Sequence, residues 1–549
     1  TATGVVHLSP GNGEDDFWAA NRRGVPIFAP FDDSVRFTKD AGIFEGVFAR
    51  DADEQVVEEL KNHNALVDIK KAKHEYPTCW RSHHKIVWLA RKEYFLRTDK
   101  INAQVVEAAQ TIETFFDEPK NRFLAFLREG KSWCISRERI WGTPLPVWSC
   151  EACGHKHVVS SKAELISLAQ EPIPADFELH KPWVDRTTIK CQKCGATMRR
   201  EDFVLDTWHN SGASPYARFT DQQIEKYVPV DFLTEGIDQT RGWANSLLLE
   251  HIIRTGKTQS PYKTFLFQGL TQDSKGRKMS KSLGNVVETN KLLETTSADL
   301  SRFYMMRKCS PIDSMNFDLQ ELSRRTYQVL STLYHLSRFF LQNAEFDNFN
   351  PQQYSLTWAK QNNLLTNPDI WLLSKLQQKI EEYTKELEAC HFNAAVLILE
   401  EFVIETLSRL YVPMIRKELW TEENNNAQRR QAIYTVLHHG LKTITLLFNP
   451  ITPHISEALY QNIYRKLDTT LPESVNFETW PQTDPKLRNQ PIEETFETLF
   501  KAVSLANSAR QTGKLKRRWP LQEVIVVAPQ KTNQDLQTVE DLFLEMINI

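Results

Sequence analysis

Residues 278–282 read Lys278-Met279-Ser280-Lys281-Ser282, set between Asp273-Ser274-Lys275-Gly276-Arg277 and Leu283-Gly284-Asn285. Two lysines on a loop punctuated by glycine and serine make a mobile cation pair that suits phosphate; the plain alternative is a basic surface turn. Upstream, Glu235-Gly236-Ile237-Asp238-Gln239-Thr240-Arg241-Gly242-Trp243 brings two carboxylates into one short segment. Glu235 can hold an ammonium group and Asp238 can accept from ribose hydroxyls; helix capping is the other use of such acids. Two CxxC pairs, Cys150/Cys153 and Cys191/Cys194, are each followed by glycine. Glycine lets the backbone turn tightly around a metal, so four thiolates at this spacing predict a closed, structural zinc site. His155 and His157 are the substitute ligands, and redox chemistry is the weaker reading of paired CxxC motifs. A fourth segment, Pro10-Gly11-Asn12-Gly13-Glu14-Asp15-Asp16, follows an apolar stretch that contains Val5, Val6 and His7. It reads as a strand, a tight turn and a helix start bearing carboxylates, where Asp15 is placed to cap the helix.

The elements that position these groups show in the hydrophobic pattern. Residues 228–233 read as a short strand, and 244–249 as a helix whose apolar face continues through Ile252 and Ile253. A carboxylate-bearing turn between the two then lies at the carboxyl edge of a parallel sheet, where open α/β sheets bind ligands. A helix fits 54–62. From about 300 the pattern turns to long helices: Val329, Leu333, Leu336 and Phe340 form one stripe, and Leu373, Leu376, Ile380, Tyr383, Leu387 and Cys390 another. Both face a bundle core, and Pro351, Pro368, Pro413 and Pro450 punctuate the region. Near the end, residues 510–519 gather Arg510, Lys514, Lys516, Arg517, Arg518 and Trp519. That cluster is either a local RNA-facing patch or a solvated face. Val524-Ile525-Val526-Val527-Ala528 reads as a buried strand.

The run at 278–282 resembles the KMSKS loop of class I aminoacyl-tRNA synthetases, and Gly236-Ile237-Asp238-Gln239-Thr240-Arg241-Gly242-Trp243 is similar to the isoleucyl branch, in its archaeal and eukaryotic-like form. The resemblance covers essentially the whole chain. It implies ATP-dependent attachment of isoleucine to its tRNA through an isoleucyl-adenylate, the valyl reaction being the alternative within the family. A zinc-stabilised, non-catalytic tRNA-binding chain is the alternative outside it. Lys278 and Lys281 are then catalytic. Met279, Ser280, Ser282, Asp238 and Gln239 join them around ATP with Mg2+, while Glu235, Gly236, Trp208 and Trp243 hold the amino acid and adenylate. Trp208 lies in Asp206-Thr207-Trp208-His209-Asn210-Ser211-Gly212, which resembles a stretch lining the aminoacyl pocket. The opening segment resembles the editing motif of the isoleucyl, valyl and leucyl enzymes. It implies that Asp16 anchors the α-ammonium of a misattached amino acid and that His7 shares the pocket; Asn12 stands where many bacterial members have histidine.

The implied fold class is α/β. It is a class I Rossmann-type core, expected to be incomplete, with part of a β-rich editing insertion, a zinc-binding excursion and a C-terminal helical bundle. None of the fifteen histidines begins an HxGH pattern, so the first βα unit of the core is expected to be missing. The domains are expected at 1–75 (editing), 76–300 (core, with the excursion at 149–200), 301–480 (anticodon-binding bundle) and 481–549 (junction). Pro77-Thr78-Cys79-Trp80-Arg81 marks the return to the core. Within it, Arg137 and Arg139 are placed to meet acceptor-stem phosphates or to form salt bridges.

Composition is compatible with this. A chain of 549 residues exceeds a single core and implies roughly three to four domains. A net charge of −3 advertises no nucleic acid globally, so RNA would have to meet local basic patches. No apolar run predicts a membrane span. Cys79, Cys134, Cys309 and Cys390 are scattered and read as small buried hydrophobes, as in a reducing cytoplasm. The resemblance adds a monomer with isoleucine tRNA, ATP and L-isoleucine as its partners.

Overall fold

The computed structural model describes residues 4, 6–73, 75–79, 82, 84–420 and 426–549, and of Ser282 the backbone alone. Val5, Trp80 and Arg81, used above for a first strand and for the return to the core, lie outside the described residues. The chain forms two units, Thr1–Thr98 with Ser132–Thr207, and Asp99–Lys131 with Trp208–Ile549. The 76–300 segment therefore contributes to both.

The first unit begins with helices α1 (Glu14–Arg22) and α2 (Asp53–Asn62). Between them run isolated bridges, Phe31 with Phe37 and Arg36 with Phe48, rather than a sheet. The β-rich expectation for 1–75 is thus not met among the described residues. Apolar runs make strands only when a ladder partner takes their backbone groups, and Val6 and Leu8 remain largely exposed.

A short antiparallel pair, Phe95–Leu96 with Trp133–Cys134, is followed by six more short strands: β1 (Ser136–Arg137), β2 (Val147–Ser149), β3 (Lys156–Val158), β4 (Ile189–Lys190), β5 (Thr197–Arg200) and β6 (Val204–Leu205). Four form an antiparallel sheet in the order β3-β2-β5-β4, and β1 pairs with β6. Along β5 the inward residues are Met198 and Arg200, the two-residue period of a strand with one buried face. Met198 packs with Trp148, Leu165, Val184 and Ile189. Arg200 is admitted because its guanidinium is satisfied: Nε donates to Asp185 at 2.7 Å, and Nη1 to the carbonyls of Phe203 at 2.8 Å and Leu145 at 3.2 Å.

The second unit opens with α3 (Asn102–Gln110) and α4 (Asp117–Arg128). It continues through β7 (Val230–Gly236), α5 (Trp243–Thr255) and β8 (Tyr262–Gln268). β7 and β8 are parallel, with Leu233 opposite Phe265 and Gly236 opposite Gln268. Glu113 bridges the other edge of β8, also in parallel. Phe265, Leu266 and Phe267 are all buried, the continuous apolar run of a strand covered on both faces. The strand and helix predicted here are present. One detail differs: Ile252 is buried but Ile253 is exposed, because the next residue turns about 100° around the helix. β9 (Thr271–Gln272), α6 (Ala298–Lys308) and β10 (Met315–Asn316) complete this part, with β9 parallel to β10.

The helical part contains α7 (Tyr327–Phe346), α8 (Asn367–Glu388), α9 (Phe392–Glu401), α10 (Ala427–Phe448) and α11 (Gln490–Thr512). The expected stripes are buried, Val329, Leu333, Leu336 and Phe340 on α7 and Leu373, Leu376, Ile380 and Tyr383 on α8. Pro368 stands in the first turn of α8, behind a capping box of Thr366 and Asp369. Pro413 does not end its helix. α9 runs through a π-helical stretch, Phe402–Tyr411, into Val412–Leu419, and the widened turn tolerates the missing donor. Residues 524–528 correct the sequence reading. They form no strand, and Ile525 and Val527 are 82% and 94% exposed; no described strand supplies a ladder for them. Cys390 is buried, whereas Cys79, Cys134 and Cys309 are half-buried. Among the described residues, no helix is long and apolar enough to cross a membrane.

Candidate functional site

β7 delivers Glu235 and Gly236 to the end of the parallel pair, and a 3-10 turn, Ile237–Arg241, leads from there into α5. Glu235 and Asp238 are exposed at this edge. Gln239 ties the turn together: its Oε1 accepts from the Trp243 backbone N–H at 2.9 Å, and its Nε2 donates to Asp238 Oδ2 at 2.9 Å. It thereby serves one of the open donors at the start of α5. A side chain at Gly242 would push the Gln239 amide off the Trp243 N–H. A Cβ would lie 2.4 Å from Gln239 Oε1 and 3.0 Å from the ring of Trp208. The same contact places Trp208 beside the start of α5. Trp243 donates from Nε1 to the Ser211 carbonyl at 3.2 Å, and its ring packs edge-on to Phe265. The two tryptophans thus converge on the turn that carries Glu235 and Asp238.

The 278–282 loop leaves the neighbouring strand end. Gly236 is in register with Gln268, and the chain passes through β9 before turning back at Lys278, which bridges Gln272. Asp273 organises this turn. Its carboxylate accepts from the backbone N–H groups of Lys275 and Arg277, both at 2.9 Å, from Arg277 Nε at 2.9 Å and from Asn285 Nδ2 at 3.0 Å. The Asn285 side chain and the Arg277 backbone N–H, with the other donors, hold the Asp273 carboxyl far below the usual carboxylate range, against the opposing effect of desolvation. Asn285 also accepts from Ser280 N at 2.9 Å and donates to the Lys278 carbonyl at 3.1 Å. Met279 packs against the cluster of Leu292, Tyr304 and Met315, and Ser280 caps the turn Lys281–Leu283. Lys278 and Lys281 are exposed, and neither makes an ion pair with a described carboxylate. The backbone is therefore fixed while both cations stay available. Asp273 and Asn285 were missed from sequence although they flank the motif on both sides.

The four cysteines of the first unit meet. Their Sγ atoms lie within 4.8 Å of one another, with Cys150–Cys194 at 3.5 Å and Cys153–Cys191 at 3.7 Å. A tetrahedral zinc with bonds of about 2.3 Å needs sulfurs about 3.8 Å apart, so the donor set fits the ion. Each pair sits in a knuckle: Gly154 N bonds the Cys150 carbonyl and Gly195 N the Cys191 carbonyl. Both glycines take positive φ, 70° and 76°. Desolvation raises the Cys191 thiol, but the backbone N–H groups of Cys194 and Lys193, together with the Cys194 and Cys153 thiols, outweigh it and bring the group down to about 6. The histidines are not ligands in this cluster; His157 instead meets Glu164 at 3.1 Å.

At the start of the chain, Asp16 Oδ2 accepts from Ser9 N at 2.8 Å, which braces the turn before α1. Gly13, not Asp15, occupies the capping position, and it makes no side-chain cap. A cavity of about 410 Å³ lies beside this turn, lined by Gly11, Asn12, Glu14, Phe17, Trp18 and Trp88 among others. Neither Asp16 nor His7 lines it, and His7 is exposed. Asn12 is engaged locally, donating to the Trp88 carbonyl at 2.9 Å. Of the two arginines set against phosphate, Arg137 is occupied by Asp206 Oδ2 at 2.5 Å and by the carbonyls of Cys134 and Ser136. Arg139 is exposed.

Comparison with known proteins decides the family. The family model for tRNA synthetases class I (I, L, M and V) matches residues 46–318, and that for the anticodon-binding domain of tRNA ligase matches 369–525. The chain belongs to the class I tRNA synthetases. It is 36% identical to the isoleucine--tRNA ligase of Methanopyrus kandleri over 556 residues, 98% of this chain and 51% of that protein. With the isoleucine--tRNA ligase of Methanosarcina acetivorans it shares 36% over 529 residues, 95% of this chain and 49% of the other. The chain thus spans about half the length of the curated relatives it matches. A methionyl-tRNA synthetase of Mycobacterium tuberculosis, solved with methionyl-adenylate, superposes with a TM-score of 0.50 at 14% identity, over 73% of this chain and 72% of that one. That likeness supports the class I fold, to which the parallel β7–β8 pair, the helical part and the cysteine cluster of this synthetase chain belong.

Proposed function

We propose that this chain serves ATP-dependent attachment of isoleucine to its tRNA through isoleucyl-adenylate. The carrying observation is the 36% identity to isoleucine--tRNA ligases across 98% of the chain; the exposed, braced lysine loop agrees with it. Glu235 takes the α-ammonium of isoleucine, and Trp208 and Trp243 with the Gly236 backbone form the apolar side of its pocket. Asp238 accepts from the ribose of ATP, with Gln239 holding it in place. Lys278 and Lys281, with Met279, Ser280 and Ser282 shaping their loop, meet the charge that develops on pyrophosphate as the isoleucine carboxylate attacks the α-phosphate. Mg2+ enters with ATP as part of that substrate. In phosphoryl chemistry of this kind, positioning and charge stabilisation do most of the work.

Cys150, Cys153, Cys191 and Cys194 hold a zinc ion that staples the 149–200 sheet. Residues 301–480 contact the anticodon of isoleucine tRNA, and 1–75 with Asp16 and His7 serve hydrolytic editing of valyl-tRNA. The protein works as a monomer in the cytoplasm. The test is amino-acid-dependent ATP–pyrophosphate exchange by a protein containing this chain, with isoleucine against valine. Exchange led by isoleucine is expected. Exchange led by valine moves the assignment to the valyl enzyme, and none with either amino acid favours a tRNA-binding role without activation.

A further inference from the structure

The basic segment after α11 divides into two parts with different jobs. Arg510 is buried, and both of its Nη atoms are engaged. Its Nη1 donates to the Trp519 carbonyl at 2.8 Å, and its Nη2 to the carbonyls of Ile547 at 2.6 Å and Asn548 at 3.0 Å. It therefore closes the loop 513–519 and is not part of a surface patch. Further ties fix the same loop: Leu515 N bonds the Arg510 carbonyl at 2.8 Å, and Asn548 Nδ2 donates to the Arg517 carbonyl at 3.3 Å.

On this anchored backbone Lys514, Lys516, Arg517 and Arg518 are all exposed. None of them makes an ion pair with a described carboxylate, whereas basic residues elsewhere in this unit do, as with Arg429, Arg430 and Lys466. Lys516 Nζ stands 5.6 Å over the half-exposed ring of Trp519. Four unpaired cations within five residues on a chain of net charge −3 make a local positive field, carried on a backbone that is already tied down. The loop also falls inside the 369–525 match to an anticodon-binding domain.

We propose that this loop grips the phosphate backbone of the tRNA through Lys514, Lys516, Arg517 and Arg518, with Trp519 as a flanking aromatic surface. This inference rests on the tRNA reading above. The simpler use of the same charges is to complement the carboxyl end of α11.

The two uses separate in one experiment. The 549-residue chain and its Lys516→Ala/Arg517→Ala/Arg518→Ala variant are titrated with isoleucine tRNA over a series of salt concentrations. Lys514 is left alone because its φ of 56° makes the backbone sensitive to replacement. Each lost phosphate contact should remove roughly one from the slope of log affinity against log salt, so the variant should bind more weakly with a slope shallower by about 2–3. Its melting temperature should not move. Lys100→Ala/Lys226→Ala/Lys257→Ala, which removes the same charge at exposed positions outside the segments assigned to tRNA, should leave the slope unchanged. An unchanged slope in the loop variant, with the parent chain binding tRNA, overturns the inference and leaves the tRNA reading standing. An unchanged slope with a lowered melting temperature assigns the cations to the helix end. A parent chain with no affinity for the tRNA overturns both.

Discussion

The side-chain amide of Asn285 donates to Asp273 Oδ2 at 3.0 Å, across the loop that carries Lys278 and Lys281. Asn285 also takes the Ser280 N–H and gives to the Lys278 carbonyl, so one residue holds both ends of the lysine segment. Asn285→Ala should release it. Amide hydrogen exchange at 275–284 should speed up, while the protection of α7 and α10 stays as in the parent chain. Unchanged exchange in the loop would mean that Met279 packing alone holds it.

The Asp273 end carries a pH dependence. Its carboxyl is depressed in the folded chain, so it binds its proton less readily folded than unfolded. The stabilisation it gives is present above the unfolded value of about 3.9 and is lost as pH falls through the lower folded value. Loop protection should therefore be flat from neutral pH to about 5 and fall only in stronger acid. Asp273→Asn should lose protection already at neutral pH, because the amide cannot accept all the donors that converge there.

What was legible in the sequence was local arrangement carried by neighbours in the chain. The loop bearing Lys278 and Lys281, and each CxxC knuckle, show in the sequence because each is only a few residues long. The stripes on α7 and α8 were legible because burial repeats with the helical turn. Arg510 was not, since a composition count cannot tell a guanidinium aimed at three carbonyls from one aimed at solvent. Val524-Ile525-Val526-Val527-Ala528 was misread for a related reason: an apolar run states a preference, and a strand needs a partner that the run itself does not name.

The cysteine cluster predicts metal dependence. One zinc per chain is expected on elemental analysis, and Cys150→Ser should lose it. Binding energy at such a site is folding energy, so proteases should then cut within 149–200, while α8 and α10 remain resistant. A full complement of zinc in the Cys150→Ser protein would remove the four-thiolate assignment.

His438 gives the helical part an acid-sensitive point. Its ring lies 5.9 Å from Phe340, 6.0 Å from Phe349 and 5.6 Å from Tyr464, and its Nε2 is sealed from solvent without a partner. Burial pushes the imidazole down to about 3, with Lys442 and His439 adding to the effect and Asp468 opposing it. The folded form thus refuses a proton that the unfolded chain accepts near 6.5. Stability is complete above that value and falls as pH drops from about 6.5 toward 3, by about 1–2 kcal/mol at pH 5. Urea midpoints between pH 7 and 5 should show this loss, and His438→Phe should reduce it, leaving the part that burial of His439 contributes. An equal loss in His438→Phe would assign the acid sensitivity to other groups.

Asp16 poses a choice between two roles, and two substitutions divide them. Its Oδ2 already braces the turn by accepting from Ser9 N, which leaves the other oxygen and the charge for an α-ammonium group. Asp16→Asn keeps an oxygen for Ser9 and removes the charge; Asp16→Ala removes both. Isoleucine and valine differ by one methylene, a weak handle for a binding pocket and the usual instance of that limit, so mischarged valyl-tRNA has to be removed afterwards. If Asp16 anchors the ammonium, both variants of an aminoacylating protein containing this chain should lose deacylation of valyl-tRNA, while isoleucyl-tRNA synthesis continues. If it only braces the turn, Asp16→Asn should deacylate like the parent, and Asp16→Ala should lose roughly 0.5–1.5 kcal/mol of local stability for a hydrogen bond lost at a half-buried turn. Deacylation measured on the asparagine variant decides, and parental activity there would withdraw Asp16 from the editing site.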